Sequence, residues 1–304
     1  MIGGIVEIAD TGRHLSIHRG FLKVTEDRQE LGRVPLDDIT ALILSGPQIT
    51  LSKQVITELS ERKSVIVTCG RNWHPLSFNL PFVAHFEAAG ILHDQIEASE
   101  PLKKRLWQTV VRAKINNQAT VLRWHAPDHG KLKDLSALGK AVKSGDPDNR
   151  EAVAARHYWQ ALMGDGFRRD RFAEDGNVYL NYGYTVLRAA TARAVCAAGL
   201  HPALGIHHKS RVNAFALIDD LMEPFRPLVD SIACYMIGEG GAGELTPDSK
   251  RRLVAVLQQD LISEAGISPL INTLGRMAQS LVASLAEGEN RLVLPELRKP
   301  GQLV

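Results

Sequence analysis

Residues 204–230, LGIHHKSRVNAFALIDDLMEPFRPLVD, gather the side chains best suited to chemistry. Adjacent His207 and His208 precede a turn-like Lys-Ser-Arg-Val-Asn, and Asp219, Asp220 and Glu223 follow. Asp219 and Glu223 are four positions apart, Asp220 and Glu223 three. On a helix either spacing puts both carboxylates on one face, where like charges repel. A divalent cation would offset that repulsion. One candidate ligand set is Glu151, His208 and Glu223, with Asp219 and Asp220 nearby. Two carboxylates and an imidazole suit Mg²⁺ or Mn²⁺, and the nitrogen tilts the choice toward Mn²⁺. Adjacent histidines diverge by about 100° on a helix, or to opposite faces of a strand, so both do not readily bind one ion. The competing reading is a solvated histidine pair beside an acidic helix face. Pro224 and Pro227 interrupt a regular helix here, which would splay Glu223 away from a surface row. Arg226 could pair with a carboxylate or a phosphate.

Other chemistries find little support. No Gly-x-Ser-x-Gly turn, HExxH or Gly-x-x-x-x-Gly-Lys loop is present. Cys69, Cys196 and Cys234 are far apart and form no CxxC, which argues for a reducing cytoplasm and against a thiolate zinc site. The first residues lack a basic segment followed by an apolar one, so no signal peptide is expected. No apolar run approaches bilayer length. A net charge of +2 does not by itself demand a nucleic-acid partner.

The elements that must position these residues fall into two zones. The first 80 or so residues read as strands at 2–8, 14–18 and 21–25, with a weaker one at 31–35. A β-α-β unit follows, from an apolar strand at 39–44 through a helix at 51–63 to a strand at 64–68. Asn72-Trp73-His74-Pro75 and Pro81 mark loops leading out. From about residue 85 the pattern is helical. Residues 99–125 carry Leu106, Val110, Val111, Ile115 and Leu122 on one stripe. Residues 103–123 hold six Lys or Arg and no acid, with Trp107 interleaved. This is either a solvated basic face or a phosphate-tracking surface.

Asp148 and Glu151 fit a capping box that opens a helix at 151–163. Glu151 shares a stripe with Ala155, Tyr158 and Leu162, so it points toward the core. A loop with Arg168, Arg169 and Arg171 leads to an Ala-rich helix at 178–199, whose small residues permit close helix packing. Further helices are expected at 228–237, from Pro247 to about Leu261, and at 269–286, before a loosely ordered tail at 291–304.

Three segments in this order resemble a known family. They are Asn149-Arg150-Glu151 with Ala154-Ala155-Arg156-His157-Tyr158-Trp159; Leu180-Asn181-Tyr182-Gly183-Tyr184; and Gly205-Ile206-His207-His208 with Asp220-Leu221-Met222-Glu223-Pro224-Phe225-Arg226-Pro227. Residues 106–119, LWQTVVRAKINNQA, match a further pattern. Together they resemble the CRISPR-associated integrases of spacer acquisition, the family of the first CRISPR-associated protein, and look closest to its type II form.

The resemblance implies an α+β chain: a small β-rich dimerisation domain at 1–80, then a larger all-α catalytic domain at 81–290. It implies a catalytic metal site of Glu151, His208 and Glu223 holding Mg²⁺ or Mn²⁺. His208 stands at the family's spacing from Glu223, and Asp220 could share the third position. The implied partners are double-stranded DNA (spacer fragments and the repeat array), a second copy of the chain, and a small second adaptation protein that completes a heterohexamer. The effector nuclease is a further candidate, and no membrane is involved. The implied reaction joins 3′-hydroxyl ends of short duplexes to the repeat boundary by direct transesterification, in the cytoplasm. A stand-alone metal-dependent nuclease and a non-catalytic DNA-binding subunit are the alternatives.

Overall fold

The computed structural model describes residues 4–70, 75–81, 85–170, 172–263 and 266–299. The N-terminal part builds two four-stranded sheets. Strands β1 (Ile5–Ile8), β5 (Ala41–Leu44), β7 (Val65–Cys69) and β8 (Pro75–Asn79) form one, in that spatial order. Strands β2 (His14–His18), β3 (Phe21–Glu26), β4 (Gln29–Pro35) and β6 (Thr50–Leu51) form the other, ordered β4-β3-β2-β6. β5 and β7 are parallel and joined through helix α1 (Lys53–Glu61), so the expected β-α-β unit is present. Residue 2, expected in the first strand, lies outside the described residues, as do Asn72, Trp73 and His74.

Pro75, expected in a loop, instead opens β8, which pairs antiparallel with β7 at the sheet edge. Proline is tolerated at the first residue of an edge strand, where its missing N–H breaks no ladder.

The β1-β5-β7 sheet is a wall between two cores. Successive strand residues point to opposite faces. Val6, Ile8, Leu42 and Ile66 join Leu15, Leu22, Val55 and Leu59 in a small β core. Ile5, Ala41, Ile43, Val65 and Val67 belong to the large helical core. Both faces being buried explains the unbroken apolar runs in β5 and β7.

The helical part contains α2 (Ala88–Glu97), α3 (Glu100–His125), α4 (Lys131–Ala141), α5 (Arg150–Met163) and α6 (Asn177–Ala197). After an irregular loop come α7 (Ala216–Met222), a 3-10 turn Glu223–Phe225, α8 (Arg226–Gly238), α9 (Pro247–Val254) and α10 (Leu270–Glu287). Helix α4, which no strong sequence pattern marks, packs between α3 and α5. α3 packs against α4, α5, α8 and the 3-10 turn, and α6 against α7, α8, α9 and α10. The expected close packing of α6 is real: a Cβ at Gly183 would lie 2.4 Å from Val229 Cγ1 on α8.

Two expectations are corrected. The larger part is not all-α. Helix α9 ends at Val254, a 3-10 turn follows at Ala255–Gln258, and the chain enters β9 (Asp260–Ser263). With β10 (Gly266–Pro269) and β11 (Glu296–Leu297) this makes a three-stranded sheet, ordered β10-β9-β11. The apolar pattern Leu253, Val254, Val256 and Leu257 that suggested a longer helix is buried, but its second half turns as 3-10. The tail is also not loose as far as residue 299. Leu292 and Leu297 are buried, β11 pairs with β9, and the Arg298 carbonyl accepts from Gln259 Nε2 at 2.9 Å.

Among the described residues no helix is long and apolar enough to cross a membrane. The three cysteines are free thiols. Burial pushes the Cys196 thiol to about 12, in keeping with packing rather than nucleophilic work.

Candidate active site

Glu151 enters from the first turn of α5. The expected capping box is replaced by another cap. Asn149 makes no side-chain cap; the Asp146 carboxylate accepts from the backbone N–H groups of Arg150 and Glu151, at 2.9 and 3.0 Å. Asp146 and Asn149 both take left-handed backbone, which folds the loop back to bring that carboxylate to the helix start. Glu151 is thereby free to reach across to α3, where Lys114 Nζ donates to its Oε1 at 2.6 Å.

Glu223 enters from the break between α7 and α8. Pro224 turns the chain into one 3-10 turn, and Pro227 starts α8. Asn117 of α3 fixes this turn, its Nδ2 donating to the Pro224 carbonyl at 2.7 Å. Glu223 Oε2 lies 2.5 Å from Lys114 Nζ, and Oε1 lies 2.9 Å from Arg226 Nε. One buried ammonium therefore serves both Glu151 and Glu223. Burial pushes the Glu223 carboxyl up, but Arg226 and Lys114 outweigh it and hold the group below its usual range. Burial likewise pulls Lys114 down, and Glu223 and Glu151 reverse that and raise it.

His208 comes from the irregular loop between α6 and α7. Asp220, wholly buried on α7, receives the His208 ring Nδ1 and the His207 backbone N–H, the latter at 2.9 Å. The hydrogen bond to Asp220 raises the imidazole pKa against the opposing effect of burial. The His207 ring stacks on Trp107 of α3, with centroids 4.2 Å apart and planes 3° from parallel. Gly205 makes the tight loop possible: a Cβ there would lie 2.6 Å from the His208 carbonyl oxygen and 2.9 Å from Asp220 Oδ2.

His208 and Glu223 face one cavity of about 300 Å³. Arg169, Arg188 and Arg226 line it too. Each guanidinium is held by neighbouring side chains. Arg169 donates to Asn177 and Asn181 at 3.0 and 2.7 Å, and Arg188 to Asp219 at 2.6 Å. The Tyr184 ring lies under both Arg226 and Arg169, at 4.8 and 5.4 Å.

The expected residues are thus partly assembled. Glu151 and Glu223 share Lys114, and Glu223 shares the cavity with His208. Asp219 reaches the cavity bound to Arg188 and Asn213. Asp220 does not reach it and instead holds the histidine loop. Among the described residues no three His, Cys, Asp or Glu side chains converge on one point; the cation the two glutamates share is Lys114.

The basic run on α3 does not form one surface. Lys114 is buried in the site, while Arg112 donates to the Val142 carbonyl at 2.9 Å. Sequence reading passed over Lys114 because it looked like one cation among six. Its distinguishing signal was its neighbourhood: Ile115 and Asn117-Gln118 beside it are buried rather than solvated. Arg188 on α6 gave no chemical signal in an Ala-rich helix, and Tyr184 was marked only as part of the segment Leu180–Tyr184.

The family model of the CRISPR-associated protein Cas1 matches residues 6–244. The chain belongs to the Cas1 family. It is 37% identical over 293 residues to the CRISPR-associated endonuclease Cas1 of Neisseria meningitidis serogroup C, covering 95% of each chain. Its fold is shared with a casposase bound to integration product: TM-score 0.80, 20% identity, 98% of this chain and 94% of that one. It is also shared with a chain of a Cas6-RT-Cas1–Cas2 complex: TM-score 0.78, 24% identity, 97% of this chain and 36% of that one. The mixed α+β architecture, with β sheets first and helices after, is that of these Cas1 relatives.

Proposed function

We propose that this Cas1-family chain is a metal-dependent DNA endonuclease and integrase of CRISPR adaptation. The observation that carries the reading is the pair of half-buried Glu151 and buried Glu223, held about one cation beside a cavity rimmed by His208 and three arginines. The donor set fits a divalent ion. The carboxylates already share a positive charge, and His208, with Nδ1 committed to Asp220, has no partner at Nε2 among the described residues. Glu151, His208 and Glu223 would hold Mg²⁺ or Mn²⁺. When bound, such an ion lowers the pKa of an attacking hydroxyl and stabilises charge on phosphoryl oxygens.

The protein's own residues do the rest. Arg169, Arg188 and Arg226 present guanidinium N–H groups to the non-bridging oxygens of a phosphodiester in the cavity. Tyr184 holds two of these guanidiniums in place. The 3′-oxygen of a spacer end attacks phosphorus in line, the repeat keeps its 5′-oxygen on that phosphorus, and the bond to the 3′-oxygen of the flanking strand breaks. The proton leaving the attacking hydroxyl is balanced by one taken up by the leaving oxygen. One phosphodiester replaces another, so no ATP is needed. Water in place of the hydroxyl gives strand cleavage.

The 1–80 part serves dimerisation and the 81–290 part catalysis. The Cas1–Cas2 composition of the structural relative supports a small Cas2-type partner bridging two dimers in a heterohexamer. The testing experiment is strand transfer in vitro, with the small partner, a short duplex with free 3′-hydroxyls, supercoiled repeat DNA and Mn²⁺ or Mg²⁺. Joined product from wild type, lost in Glu151→Ala and Glu223→Ala, is expected. Cutting without joining in the partner's presence overturns the integrase reading in favour of a stand-alone nuclease. Unchanged activity of both variants overturns the assigned site.

A further inference from the structure

Lys114 occupies the space that a cation between Glu151 and Glu223 would need. Its Nζ lies 2.6 Å from Glu151 Oε1 and 2.5 Å from Glu223 Oε2. Only 12% of its side chain is exposed. Inner-sphere binding of a divalent ion puts carboxylate oxygens about 2.0–2.1 Å from Mg²⁺. The ammonium and such an ion cannot both hold these oxygens at those distances.

There is somewhere for the ammonium to go. Lys114 lines a second cavity of about 180 Å³, which shares Arg169, Tyr184, Glu223 and Arg226 with the larger one. Gln118 lines the same cavity, one helical turn beyond Lys114 on α3. Gln118 is 2% exposed, and its Oε1 is a buried acceptor with no hydrogen-bond partner among the described residues. Buried acceptors are almost always paired, so an orphan one turn from a buried ammonium calls for an explanation.

We propose that Lys114 is the resident counter-ion of the metal-free site. A divalent cation binds by displacing the ammonium from Glu151 and Glu223 toward Gln118 Oε1. The inference rests on the metal-site reading above and extends it to how the ion gains entry. The lysine keeps the half-buried Glu151 and the buried Glu223 together while no metal is present. It also weakens metal affinity, because the ion must break both ammonium contacts. Gln118 lowers that barrier by receiving the displaced group.

The test is Mn²⁺ binding to the full-length protein, read by electron paramagnetic resonance of free Mn²⁺ and by calorimetry, without DNA. Lys114→Met removes the competitor at similar volume. It is expected to bind Mn²⁺ at least about tenfold more tightly than wild type, the size of one charge-assisted hydrogen bond. Gln118→Leu removes the acceptor and is expected to bind several-fold more weakly. Lys114→Arg keeps the charge and should bind no more tightly than wild type. Opposite shifts from two buried neighbours are not what general loosening of the fold would give. Equal or weaker binding by Lys114→Met overturns the proposal. Should Lys114→Met not fold, unchanged affinity in Gln118→Leu overturns it. Glu223→Gln separates the two levels. If Glu223→Gln loses Mn²⁺ while Lys114→Met gains nothing, the metal site stands and the displacement fails. If Glu223→Gln binds Mn²⁺ as wild type does, both fall.

Discussion

The buried carboxylate of Asp220 takes both the ring Nδ1 of His208 and the backbone N–H beside it. Asp220 is wholly buried and does not line the cavity, so it is expected to hold the histidine rather than an ion. Asp220→Asn keeps the shape and removes the charge. Strand transfer is expected to fall about 10- to 100-fold, as for other partners that orient a ligand histidine. Glu223→Ala should give no product in the same assay. Equal loss in the two variants would mean that Asp220 is itself a ligand.

The loop carrying His208 has no room for a side chain at Gly205. In Gly205→Ala the new methyl meets the His208 carbonyl and Asp220, both under 3.0 Å away. Activity should drop by about two powers of ten, as an ångström of misplacement can do. The melting temperature should fall as well, because neighbouring Ile206 packs in the helical core. A variant as active as wild type would show that the loop relaxes freely.

Arg169 is expected to contact DNA backbone. Arg169→Ala should weaken duplex binding alike for all sequences. The slope of log affinity against log salt should fall in magnitude by about one, the loss of one phosphate contact. An unchanged slope in a fluorescence-anisotropy titration would place the phosphate elsewhere.

Asp230 lies beneath the site, where Tyr184 donates to it. Burial outweighs this hydrogen bond and pushes the carboxyl up from 3.8 to about 7. A carboxyl raised in the fold binds its proton more tightly folded than unfolded. The resulting stability is complete below about 4 and is lost as pH climbs through 7. The melting temperature of wild type should therefore fall between pH 5 and pH 8 more steeply than that of Asp230→Asn. Parallel curves for the two proteins would show that Asp230 ionises as it would in water.

Legibility differed from residue to residue. Glu151, His208 and Glu223 were readable as a candidate set because their types are rare together and their spacing is fixed along the chain. The β5-α1-β7 unit was readable because burial on both faces leaves an unbroken apolar run. Pro75 misled because a proline suggests a loop unless the strand is known to lie at an edge, which is a tertiary fact. The Asp146 cap was hidden for a similar reason: it depends on two left-handed residues that only the folded loop reveals. Lys114 was visible as a charge but not as a buried one, since burial depends on what α5 and the Glu223 turn bring against α3.

Because β1, β5 and β7 present Ile5, Ala41, Ile43, Val65 and Val67 to the helical core, the first 80 residues do not end in a finished surface. Expressed alone they would offer water an apolar wall, the kind of face that draws chains into aggregates. The helices, cut free, would lose the same wall. Evolution can exchange modules only where both sides of the cut are already solvated, and here neither is. The sheet ties the β part to the helical part, so the two are expected to be inherited, to melt and to diverge together.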